Sequence, residues 1–151
     1  MSEGAVRRVA FGCDHAGFAL RQTVVEYLRG RGFEVLDFGT DRPDPCDYPD
    51  IAHAVARALA EGRADRAVLV CGSGVGMSMA ANRHRGVRAV LCSEPLSARL
   101  GRAHNDANAL CFGARIVGPA MAVALLDAFF DSEHEGGRHA RRAARIDPES
   151  G

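Results

Sequence analysis

Apolar residues in this chain come in short runs, separated by stretches where they recur every three or four positions. Val9-Ala-Phe-Gly-Cys13 reads as a first strand, and Val24, Val25 and Leu28 mark one face of the helix after it. Gly30 and Gly32 end that helix, and Glu34-Val-Leu-Asp-Phe38 gives a second strand. Thr40 to Asp50, rich in Pro and Asp, is the longest loop. Ile51, Val55, Ala58 and Leu59 then recur at helical spacing until Gly62 stops them. Ala67-Val-Leu-Val-Cys71 is apolar on both faces, the pattern of a central parallel strand. The glycine-rich turn Gly72-Ser-Gly-Val-Gly76 follows, with a short helix to about Asn82. Arg88-Ala-Val-Leu-Cys92 reads as a fourth strand, and the helix after Pro95 carries Leu96 and Leu100. Ala109-Leu-Cys-Phe112 is a fifth strand, and Ala122, Leu125, Leu126 and Phe129 seam a fifth helix. Five alternations of strand and helix predict an α/β fold: a parallel sheet with right-handed crossovers, covered on both sides.

The length of 151 residues fits one domain over 1–151, with a core of about 8–131 and a C-terminal helical tail of about 132–151. Residues after Ile146 are expected to fray. The chain has 19 Lys plus Arg against 19 Asp plus Glu, which argues against a nucleic-acid partner held by bulk positive charge. No apolar run is long enough to cross a bilayer, and the first eight residues lack a signal core, so the expected address is the cytoplasm without a membrane partner. Cys13, Cys46, Cys71, Cys92 and Cys111 are odd in number and widely spaced, unlike a disulfide framework or a zinc site. No metal and no cofactor are expected.

Ligands on open parallel sheets bind beyond the carboxyl ends of the strands. Those ends carry Asp14-His15, Gly72 to Gly76 and Ser93-Glu94, and the sequence reading puts His104-Asn105 at the same edge. The glycines of the turn let main-chain amides face an anion at a helix start, although such a turn also joins strand to helix with no ligand at all. It lacks the third glycine of a dinucleotide fingerprint and the Lys of a phosphate-binding Walker loop. Cys71 stands directly before it, where amide donors favour the thiolate. Met77 occupies the position where a phosphatase loop would need Arg, which leaves proton transfer as the attractive role for the thiol. His15 and His104 can relay protons near neutral pH, while His53, His84 and His134 read as structural or surface residues. Arg138, His139, Arg141, Arg142 and Arg145 make the tail locally basic, a pattern suited to phosphate and equally to a solvated terminal helix.

Seven segments occur together and in order: Phe11-Gly-Cys-Asp-His-Ala-Gly17, Asp47-Tyr-Pro49, Cys71-Gly-Ser-Gly-Val-Gly76, Ala80-Ala-Asn82, Cys92-Ser-Glu-Pro95, His104-Asn-Asp-Ala-Asn108 and Glu135-Gly-Gly-Arg-His139. Over roughly Arg8 to Ile146 the chain resembles the type B ribose-5-phosphate isomerases, within the family that includes galactose-6-phosphate isomerase subunits. The resemblance implies a Rossmann-like three-layer αβα sandwich, working as a homodimer or dimer of dimers with active sites shared between subunits. It implies an aldose–ketose isomerase that moves a proton between C2 and C1 of a phosphorylated sugar through a cis-enediolate, without a metal. By resemblance Cys71 is the base, with Ser73 beside it, and the amides of Gly72, Ser73, Gly74, Val75 and Gly76 hold the enediolate oxygens. His104 would assist ring opening, Asp14 and Tyr48 would face sugar oxygens, and Asn105 would lie beside the enediolate. His15, Arg115, Arg138 and Arg142 would hold phosphate or hydroxyls. A subgroup uses a glutamate after the glycine loop as base; Met77 stands there in this chain, so the resemblance is to the cysteine type. The expected substrate is D-ribose 5-phosphate in exchange with D-ribulose 5-phosphate. The alternatives are allose 6-phosphate, galactose 6-phosphate or erythrulose 4-phosphate, or a non-catalytic sugar-phosphate binding role.

Overall fold

The period-two burial of the strands decides how the chain layers itself. In the computed structural model, which describes residues 5–149, β1 (Arg8–Cys13), β2 (Glu34–Asp37), β3 (Arg66–Cys71), β4 (Ala89–Leu91) and β5 (Ala109–Gly113) form one sheet. Every pairing is parallel, in the order β2-β1-β3-β5-β4. Alternate residues Val9, Phe11, Val68, Val70, Leu110 and Phe112 point into one apolar cluster. There they meet α1 (Arg21–Gly30), α4 (Pro95–Asn105) and α5 (Pro119–Phe130). Their neighbours Ala10, Ala67, Leu69, Ala109 and Cys111 point the other way, onto α2 (Tyr48–Ala60) and α3 (Val75–Ala81). A last short helix, α6 (Arg138–Ala143), packs on α4. No helix among the described residues is long and apolar enough to cross a membrane.

Strand assignments from the sequence agree to within one residue at either end. Two expectations need correction. Leu96 is exposed in α4, and the buried face is Ala98, Gly101, Arg102 and Ala103. A Cβ on Gly101 would come within 3.0 Å of Val90, so this helix lies close on the sheet and small residues make the contact. Asp147 and Pro148 are tied back rather than frayed: Asp147 accepts the Gly86 N–H at 2.8 Å and Arg85 donates to the Pro148 carbonyl at 2.8 Å. Residues 1–4, 150 and 151 of the expected domain and tail lie outside the described residues.

The strand order sets the position of the crevice. The chain leaves β1 toward β2 on one side, then crosses back over the opposite face to β3, so the connections after β1 and β3 diverge. A gap at the carboxyl ends of these two strands is where a ligand fits on such a sheet.

Candidate active site

At that gap an open cavity of about 510 Å³ is lined by Asp14, His15, Tyr48, Cys71, Gly72, Ser73, Val75, Gly76 and Arg115, together with Ala16, Met79 and Ile116. Each arrives by a different route. Asp14 follows β1 and is buried, its carboxylate accepting the Gly17 N–H at 2.9 Å, which closes a tight turn below the cavity. Tyr48 begins α2. Arg115 follows β5, and its own N–H donates to the Gly72 carbonyl at 3.0 Å, so the guanidinium sits over the glycine loop.

Cys71 ends β3, with its Sγ accepting the Gly74 N–H at 3.1 Å. Ser73 Oγ accepts the Val75 N–H at 3.2 Å, which leaves its hydroxyl proton to be aimed elsewhere. Two of the amides expected to face enediolate oxygens are therefore engaged, one on the sulfur and one on the serine. An N–H aimed at sulfur favours the thiolate. The turn that aims it requires glycine, because Gly74 has φ +83° and a Cβ there would lie 2.8 Å from the Phe112 carbonyl carbon. Burial pushes the Cys13 thiol up to about 11 and the Cys92 thiol up to about 12, and it raises Cys111 as well.

His104, Asn105, Arg138 and Arg142 are not at this cavity. The expectation that His104-Asn105 share the carboxyl edge is wrong for a single chain, and the reason is topological. A crossover helix returns the chain to the opposite edge. Asn108, four residues past His104, accepts from Ala67 N at 2.9 Å and donates to the Arg88 carbonyl, at the starting ends of β3 and β4. The five residues of β5 separate the two edges by about 16 Å.

At that far edge a second group assembles, part of which the sequence reading passed over. The His104 and His139 rings stack with centroids 4.2 Å apart and planes 5° from parallel. Glu135 faces both, 3.7 Å from His104 Nε2 and 3.6 Å from His139 Nε2. Desolvation, with the charges of His104 and Arg138, holds His139 below the ordinary histidine value. Two imidazoles and a carboxylate are a ligand set that zinc accepts, but parallel rings aim their lone pairs side by side rather than at one point. The i, i+4 spacing of Glu135 and His139 was the available signal. Arg138 and Arg142 share an exposed face of α6, while Arg145 lies beyond the helix end. Asn105 lines a separate cavity along β4 beside Leu91 and Asp147.

The family pattern described as Ribose/Galactose Isomerase matches residues 9–146. Ribose-5-phosphate isomerase B of Escherichia coli (strain K12) is 50% identical over 141 residues, covering 93% of this chain and 95% of that protein. D-erythrulose-4-phosphate isomerase of Pectobacterium atrosepticum is 37% identical, covering 91% of each chain. Among solved structures, a ribose 5-phosphate isomerase from Thermotoga maritima superposes with a TM-score of 0.90 at 45% identity, over 93% of this chain and 97% of that one. With the family pattern spanning residues 9–146 and these relatives matching over nearly the whole length, the chain belongs to the ribose/galactose isomerase family.

Proposed function

We propose that this isomerase interconverts D-ribose 5-phosphate and D-ribulose 5-phosphate, with Cys71 as the proton carrier. The observation that carries the reading is the Gly74 N–H directed at Cys71 Sγ in a cavity shared with Asp14, His15 and Arg115. The Cys71 thiolate takes the proton from C2 of the open aldose. The C–H electron pair becomes the C1–C2 double bond of a cis-enediolate as the carbonyl pair moves to O1. The same thiol returns its proton to C1, while the O2 hydroxyl proton is lost and O1 gains one, which gives the ketose. Donors fixed in place around the developing oxyanion are worth a few kcal/mol each in sites of this kind. Ser73, Asp14 and Tyr48 face sugar oxygens, and Arg115 takes the anionic end.

His104 would open the ring as acid, Asn105 would flank the enediolate, and Arg138 and Arg142 would grip phosphate. Their place at the far edge supports a reading in which a second copy of the chain supplies them, in a homodimer or a dimer of dimers working in the cytoplasm. A second reading, the same proton transfer on another phosphorylated sugar, draws on the Pectobacterium relative.

Two measurements test the proposal. Rates with ribose 5-phosphate, allose 6-phosphate, galactose 6-phosphate and erythrulose 4-phosphate rank the substrates, and a ranking without ribose 5-phosphate first rejects the pentose. Cys71→Ala is expected to lower kcat by a factor of about 10³ or more with the fold intact, since no other group accepts the carbon-bound proton. Near-normal turnover in that variant rejects Cys71.

A further inference from the structure

The Pro- and Asp-rich loop reaches the cavity at one atom. His15 Nδ1 lies 3.2 Å from the main-chain nitrogen of Cys46, thirty-one residues away, and accepts its N–H. Cys46 Sγ sits 4.0 Å from the same Nδ1. A main-chain N–H donates and does not accept, so Nδ1 carries a lone pair at this contact. The proton of the neutral ring is then on Nε2, the nitrogen not engaged by the loop. Cys46 is not among the residues lining the cavity, yet it decides what His15 offers there.

We infer that the Cys46 amide is a positioning group: it locks His15 as an Nε2–H donor toward the oxygen-rich ligand of the Cys71 cavity. The wall facing Cys71 then presents a directed donor rather than a base, which suits a phosphate or hydroxyl oxygen and leaves carbon-proton chemistry to the thiol. Pro43 and Pro45 restrict the loop around this donor, which favours a fixed orientation. The inference rests on the sugar-phosphate reading for its ligand, but its first test needs no substrate.

That test is the imidazole ¹⁵N spectrum of the unmodified protein, with His15 assigned by its loss in His15→Gln. A neutral ring protonated at Nε2 is expected, and an Nδ1-protonated ring or an even mixture overturns the inference. The second test compares His15→Gln with His15→Asn, whose amides reach toward the Nε2 and Nδ1 positions respectively. With ribose 5-phosphate, KM is expected to rise about tenfold more in His15→Asn than in His15→Gln, at similar kcat, the cost of one hydrogen bond to a charged oxygen. The reverse ranking overturns it. Cys46→Pro removes the donor and is expected to mix the His15 tautomers; an unchanged His15 spectrum in that folded variant overturns the role of the amide. Should Cys46→Pro not fold, the spectrum of the unmodified protein decides.

Discussion

Two glycines of the loop are held in place by different neighbours, and substituting them separates folding from binding. Gly74 combines a left-handed φ with main-chain atoms of Phe112 at its back, and neither can yield. Gly74→Ala is expected to lower stability by about 1–3 kcal/mol from the backbone alone, read as a shift in the urea midpoint. At Gly76 the obstacle is a side chain, since a Cβ there would meet the Tyr48 ring at 2.5 Å, and that ring is 40% exposed. It can swing away at the expense of its place over the cavity. Gly76→Ala should therefore raise KM while the urea midpoint hardly moves. Combined with Tyr48→Ala, the loss should be smaller than the sum of the two single losses, because both changes act on one contact.

Helix packing shows both what the residue pattern conveys and where it falls silent. Val24, Val25 and Leu28 in α1 and Ala122, Leu125, Leu126 and Phe129 in α5 were readable because large apolar groups repeat at helical spacing and are buried. In α4 the same search picks Leu96 and Leu100, whereas close approach to β4 selects Gly101 and the buried Arg102 sets its guanidinium over the Phe129 ring. Small residues at a tight contact leave no hydrophobic signal. Contact between α2 and the turn after α3 adds a pH-dependent element, since His53 Nδ1 lies 2.7 Å from His84 Nε2. Burial, then the nearby His53 and Arg57 charges, lower the proton affinity of His84. A folded-state value below the unfolded value of about 6.5 means that the unfolded chain binds the proton more readily. The contribution is complete above about pH 6.5 and is lost as pH falls through the folded-state value. Urea unfolding of His84→Gln at about pH 7.5 and about pH 5.5 should show a smaller acid loss than the parent protein.

On the scale of the molecule, the proposed chemistry is divided between two edges of one sheet. Asp14, His15, Cys71 and Arg115 lie at one, His104, Asn105, Arg138 and Arg142 at the other. The pairing of Glu135 with two imidazoles emerges only in the fold, whereas Cys71, His15 and His104 were legible in the sequence as reactive types beside strand ends and a glycine turn. Their separation was also implied by the alternation of strand and helix, which returns the chain across the sheet at every crossover, but proximity to a strand in sequence hides that reversal. A direct consequence is complementation. Cys71→Ala and His104→Asn should each be inactive alone. Mixed in equal amounts after co-refolding, they should recover roughly a quarter of the parent rate, since half of the two-fold dimers pair unlike chains and each holds one intact site of two. Recovery no greater than the sum of the separate variants would show that each chain completes its own site.

The order β2-β1-β3-β5-β4 also carries a message about how the chain is made. The strand that joins β3 to β4 is the last to leave the ribosome, and β4 has nothing to pair with until it arrives. A nascent chain halted before Ala109 holds β3 with an open flank, ready to capture a like strand from a neighbouring polypeptide. Truncations upstream of β5 are thus expected to aggregate rather than persist as stable fragments.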